Sequence, residues 1–268
     1  MKNLITLFII TSLFFGCNND IPKNNSTKTP VESIVPLSFK LNNLSLKSDL
    51  CNNENEMECA TVSIKYYMAE GGKKETKEKI NTTIEEILAY HFIVGEKKDV
   101  VDTDLKKAAQ SFIIDYEKDM SDEKNRGFVT PYAIETDCEI LYESPELVCF
   151  SFSNYSNTGG AHPNHFTSLV NFDKKTGEQI KANQILKDRQ QLSPILERQA
   201  KEKYNIAEDQ SLKDVGLYYE GNTFPVNDNI GILKDSIILE YNPYEVGPYV
   251  LGGITFRIAK SDIKDLMK

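Results

Sequence analysis

Tryptophan is absent from this chain of 268 residues, histidine occurs three times, and the one long apolar run stands at the very start. Each shortage closes off a class of function. Without tryptophan there is no indole platform for stacking sugars, and 13 Tyr with 13 Phe read as an ordinary aromatic core. The sequence contains no Cys-x-x-Cys, no His-Glu-x-x-His, no Gly-x-Ser-x-Gly and no glycine loop of the kind that cradles phosphate. We therefore expect no catalytic residue, no metal and no cofactor. Positive charge is scarce as well: 31 Lys and Arg face 40 Asp and Glu, for a formal charge of −9. That balance argues against nucleic acid and against adhesion to anionic lipid, and would suit a cationic partner.

What is present begins with "MKNLITLFIITSLFFGC". One lysine precedes an apolar run too short for a comfortable membrane span, and a glycine stands directly before Cys17. Residues 1–17 thus read as a lipoprotein signal peptide with Cys17 as the lipid attachment site, although Phe14 and Phe15 depart from the usual cleavage box. Acyl chains contribute roughly 0.8 kcal/mol per buried methylene, enough for a durable anchor. Residues 18–35 are rich in Asn, Ser, Thr, Lys and Pro, too polar to fold against anything. They read as a flexible tether reaching roughly 20–25 Å. The expected location is the bacterial cell envelope, outside the cytoplasm, with the membrane contacted through the lipid.

Four further cysteines remain: Cys51, Cys59, Cys138 and Cys149. An even number in an exported chain suggests two disulfides, with three possible connectivities. Spacing favours the local pairs. Cys51–Cys59 would close the polar loop "CNNENEMEC", and Cys138–Cys149 would bridge a hairpin turning near Glu143–Pro145. Each such loop contributes roughly 2.5–3 kcal/mol in the chain-entropy account.

Periodicity supplies the elements. Residues 60–70 alternate as a strand, while 77–93 place Ile80, Ile84, Ile87, Leu88 and His91 on one helical face, with His91 a core or boundary residue. A second helix over 102–120 carries Leu105, Ala108, Ala109, Phe112, Ile113 and Tyr116, capped by Asp102 or Thr103. Strands are expected at 128–141, 146–153, 165–172 and 178–181. A helix over 188–205 has to start late because of Pro194. A hairpin turning at Lys234–Asp235, a strand in "GITFRIAK" and a short helix in "SDIKDLMK" close the chain. Runs of strands and helices without strict alternation give an α+β fold. We expect two small α+β domains, 36–150 and 151–268, each a mainly antiparallel sheet packed with helices.

The loop "NTGGAHPNH" (157–165) draws the closest reading. Pro163 rules out an ordinary helix through His162 and His165, and two histidines alone fall short of a metal site. Ser153 or Ser156 with His162 would make a nucleophile and base, but the structural reading is stronger. Gly159 and Gly160 supply positive φ or a close backbone approach, and His162 is held by hydrogen bonds. "YNPYEVGPY" (241–249) supplies Tyr244, Glu245 and Tyr249, which we place beside this loop as aromatic and acidic surface, candidate binding residues.

The stretches "YSNTGGAHPNHFTSLVNFDKKTGEQI" and "ILEYNPYEVGPYVLGGITFRIAKSDIKDLM" resemble the family of unknown function found at the C-terminus of the RsiV ectodomain. The preceding half resembles the companion domain that also precedes the deacetylase domain of PdaC, so the resemblance spans about residues 45–268. RsiV is an anti-sigma factor whose outer domain recognises lysozyme, and PdaC's chemistry resides in a further metal-dependent domain. Since this sequence starts with a signal peptide and ends at Lys268, the resemblance implies the binding module itself. Its expected partner is a lysozyme-like cationic protein or peptidoglycan. A hydrolase acting on wall material, or a structural envelope protein, is the alternative.

Overall fold

Helical spacing and strand alternation meet in the first layer of the molecule. The computed structural model describes residues 35–51, 59–93, 103–122 and 130–268. The signal peptide, Cys17, almost all of the tether, the interior of the Cys51–Cys59 loop and the proposed Asp102 cap lie outside these residues.

Strand β1 (Ser38–Lys47) pairs antiparallel with β2 (Ala60–Glu70). Helices α1 (Lys74–Tyr90) and α2 (Leu105–Ser121) then cross to β3 (Tyr132–Glu143), which runs parallel to β2. Such a parallel pair needs a long crossover, and the two helices provide it. Strands β4 (Leu147–Asn157), β5 (Asn164–Asp173) and β6 (Gln179–Ile180) follow as antiparallel neighbours, giving a six-stranded sheet in sequence order. The buried face of α1 (Ile80, Ile84, Leu88) and that of α2 (Leu105, Ala109, Phe112, Tyr116) pack on Val62, Ile64, Ile134, Phe150, Phe152 and Phe172. Each of the fully buried phenylalanines contributes roughly 1.5–3 kcal/mol. The cap of α2 is Asp104, whose carboxylate accepts from the Lys107 N–H at 3.1 Å, rather than Asp102 or Thr103.

A second core is built by α3 (Ala182–Ile185) and α4 (Ser193–Tyr204) against a three-stranded sheet of β7 (Ile230–Ile232), β8 (Ser236–Tyr241) and β9 (Ile254–Ala259). Pro194 falls in the first turn of α4, where a missing N–H costs nothing, so the helix begins late as the sequence demands. The final segment forms a 3-10 turn, Lys260–Ile263, instead of the expected helix. The fold is α+β with mostly antiparallel sheets, as expected. The border expected at 150/151 falls in the middle of β4: the first sheet continues to Ile180, and the second core starts at Ala182. Residues from Ile34 onward form one compact unit. Among the described residues no helix is long and apolar enough to cross a membrane.

Three asparagines join the two sheets. Beyond Asn171 and Phe172, β5 has no strand on its β6 side. There Asn229 accepts from Leu169 N–H at 2.7 Å and donates to Thr167 O at 2.7 Å. Asn242 accepts from Thr167 N–H at 2.6 Å and donates to the same carbonyl at 3.2 Å. Asn171 answers from β5, donating to Ile230 O and accepting from Ile232 N–H. Side-chain amides thus stand in for a neighbouring strand and cover an edge that would otherwise be open. Close approach of β7 depends on Gly231, where a Cβ would sit 2.9 Å from Ile238 and 3.2 Å from the Cys149 sulfur.

That contact also explains the cysteines. Cys51 and Cys59 form the expected disulfide. Cys138 and Cys149 do not: both are buried thiols. The hairpin turns one to two residues later than the sequence reading placed it, at Ser144–Leu147, and a bulge at Ile140/Tyr142 shifts the register. Cys138 therefore lies opposite Phe152, in the helix-covered core, while Cys149 lies opposite Tyr142 and faces β7. Side chains on opposite faces of a sheet cannot be bridged. Burial pushes the Cys138 thiol up to about 12 and that of Cys149 up to about 11.

Candidate functional site

The turn from β4 to β5 starts at Asn157 and requires glycine at one place. Gly159 has φ +81°, and a Cβ there would lie 3.0 Å from Thr130 Oγ1 and 3.1 Å from the Tyr132 ring. Gly160 has no positive φ, and its Cβ would meet only His162 O at 3.7 Å. The demand expected of both glycines therefore belongs to Gly159 alone.

The turn delivers His162 to a second loop. A β-turn closed by Glu245 N–H donating to Asn242 O at 3.1 Å places Tyr244 at its third position with φ +73°. With Pro243 before it, this is the place where a type II turn takes glycine. A tyrosine held there costs on the order of 1–3 kcal/mol, strain that persists only where surroundings enforce it. The surroundings are visible. Asn242, which opens the turn, is fixed to β5 through Thr167. Glu245 accepts from Asn227 at 2.8 Å and from Asn242 at 3.2 Å. Its carboxylate, read from sequence as acidic binding surface, is exposed but already engaged in holding the turn.

His162 lies flat against Tyr249, with centroids 4.0 Å apart and an interplanar angle of 24°. Its Nδ1 is 3.0 Å from Pro163 O and its Nε2 is 2.9 Å from Tyr244 Oη. A carbonyl only accepts, so Nδ1 carries the proton and Nε2 accepts from the Tyr244 hydroxyl. Tyr249 Oη donates to the same Pro163 carbonyl at 2.8 Å. Tyr244 and Tyr249 are 5.8 Å apart at 32°, so the three rings form a tilted stack. Tyr244 is 52% exposed, and beside Tyr249 the side chain of Val250 is 86% exposed.

The sequence reading brought His162, Tyr244 and Tyr249 together correctly. Val250 and the three joining asparagines were not legible there, since the asparagines' only signal is a residue of poor strand propensity inside or beside a strand. In place of an indole, a histidine and two tyrosines form the aromatic face. His165 points to a different partner, the Tyr155 ring at 5.0 Å. Ser153 is 3.3 Å from Thr167 Oγ1, and both His162 nitrogens are engaged elsewhere than with a serine. Among the described residues no group of three or more His, Cys, Asp or Glu is placed to hold a metal. His91 caps the end of α1 and is buried, with Nδ1 3.0 Å from Thr136 Oγ1 and its ring against the edge of Phe166.

Residues 53–165 match a family described as deacetylase PdaC, and residues 180–261 match a family of unknown function, DUF3298. The chain pairs a PdaC-type domain with a DUF3298 domain. The chain is 26% identical over 176 aligned residues to the peptidoglycan-N-acetylmuramic acid deacetylase PdaC of Bacillus subtilis, in a match covering 64% of this chain and 37% of that protein. The chain thus spans little more than a third of this relative. A DUF3298 protein from Bacteroides fragilis superposes with a TM-score of 0.70 at 20% identity, covering 87% of this chain and 94% of the other. Another from Pseudomonas aeruginosa gives 0.65 at 13%, covering 88% and 96%. At these identities the likeness is one of fold. His162 belongs to the PdaC-type segment, and Tyr244 and Tyr249 belong to the DUF3298 segment. The ring stack is assembled by the two together.

Proposed function

We propose that the chain is an envelope-side binding module, anchored through a lipid on Cys17, whose His162–Tyr244–Tyr249 stack contacts cell-wall glycan. One observation carries this reading: Tyr244 is held in a conformation tyrosine avoids, half exposed, by hydrogen bonds from both domains. Rigid tyrosines give contact area at low entropic cost. The envelope setting is supported by the relative from Bacillus subtilis, whose name places its action on peptidoglycan. A lysozyme-like cationic protein is the second reading, favoured by the formal charge of −9 and by the exposed Val250 beside the stack.

Co-sedimentation of residues 34–268 with purified peptidoglycan, beside capture on immobilised lysozyme over a salt series, separates the two. Glycan stacking predicts pelleting that changes little with salt, whereas capture by lysozyme that weakens steeply with salt favours the second reading. Binding to neither would remove the proposal. The anchor is tested separately: labelling with a fatty-acid analogue is lost in Cys17→Ser, and label retained in that variant would contradict it.

A further inference from the structure

Along β5, roughly 20 Å from the ring stack, the seam between the two sheets opens into a cleft of about 770 Å³. Its walls are β5, β6, the segment from α3 into the following 3-10 turn, and the start of β7. Four cations line it, Lys181, Lys187, Arg189 and Lys268, with two acids, Asp188 and Asp228. The acids are engaged. Asp228 is paired with Arg189, and Asp188 accepts from Gln190 N–H at 3.0 Å. The remaining ammonium groups have no carboxylate partner among the described residues. Lys187 donates to Asp265 O at 2.8 Å and Lys268 to Asn183 O at 2.5 Å, both neutral carbonyls, while Lys181 is exposed.

We propose that this cleft binds an oxyanion, a carboxylate or a phosphate. Three ammonium groups, bonded to no carboxylate among the described residues, thus surround one concavity. A cleft concentrates their field on its interior. Lysine serves as a mobile point charge and meets a phosphate or carboxylate without the fixed geometry of arginine. The volume falls in the range of small-ligand sites. The site is independent of the ring stack and does not need glycan binding to be correct.

Calorimetric titration of the full chain at constant ionic strength tests it with two probes, inorganic phosphate and an N-acetylated dipeptide with a free carboxylate. Saturable binding of one probe identifies the oxyanion. The Lys181→Gln/Lys187→Gln pair should weaken it roughly tenfold or more, and Lys181→Arg/Lys187→Arg should retain it. The pair Lys65→Gln/Lys74→Gln, on β2 and α1, should leave it unchanged. Absence of saturation with both probes, or equal weakening in the Lys65/Lys74 pair, would overturn the proposal.

Discussion

His162 and Tyr249 lie face to face, 4.0 Å between ring centroids, and both bond the Pro163 carbonyl. One ring comes from the PdaC-type segment and the other from the DUF3298 segment, so the surface exists only when both are docked. What docks them is the set of asparagine amides along β5.

Those amides should dominate the stability of the seam. Asn229→Ala leaves Leu169 N–H without a partner, at about 1–3 kcal/mol for that group, while Thr167 O keeps its bond from Asn242. Denaturant unfolding should show a loss of that size. Hydrogen exchange should accelerate at Leu169 ahead of β2 and β3. Unchanged exchange there would mean the amide is dispensable.

The turn glycines should behave unequally. Gly159→Val is expected to cost about 1–3 kcal/mol through positive φ and the approach to Tyr132, and Gly160→Val to stay within about 0.5 kcal/mol. Melting curves of the two variants compare them directly.

The redox pattern follows from strand parity. Peptide mapping without reductant should find Cys51 joined to Cys59, with Cys138 and Cys149 alkylated only after unfolding. A Cys138–Cys149 bridge would require the β3–β4 register to be wrong.

How far the sequence carried this is clearest in the first sheet. The stripes of α1 and α2 and the alternation of β2 were legible because each buries one continuous face. Strand β1 was not, because Asn42 and Asn43 interrupt the alternation between Phe39–Leu41 and Leu44–Leu46. The domain border failed at β4 for a related reason: pattern shows that a strand exists, not which sheet it joins. The Cys138–Cys149 expectation failed by a turn placed too early and one bulge, errors too small for periodicity to register. The loop carrying His162 could be matched to Tyr244 and Tyr249 because glycine, proline and aromatic residues cluster in few places. The asparagine joints pair residues far apart in the chain, and no local signal marks them.

Acid should weaken the fold through His91. Burial holds its pKa down at about 4, against 6.5 when exposed, so the folded chain resists the proton that the unfolded chain accepts. The described groups against the ring are Thr136 and Phe166, neither of which titrates in this range. Stability is complete above pH 6.5 and falls as pH drops towards 4, by about 3 kcal/mol in all. Denaturant midpoints across that range should fall in the wild type. They should fall less in His91→Gln.

The His162–Tyr244–Tyr249 stack, as proposed above, is a binding surface. The most direct measurement is the affinity of residues 34–268 for purified peptidoglycan in wild type, Tyr249→Ala and Tyr244→Gly, with unfolding followed on the same samples. Tyr244→Gly relieves the left-handed strain, so it should hold or raise stability while removing the exposed ring. Binding should weaken roughly tenfold or more in both variants, with Tyr244→Gly at least as stable as wild type. Undiminished binding by a stable Tyr244→Gly would contradict that role.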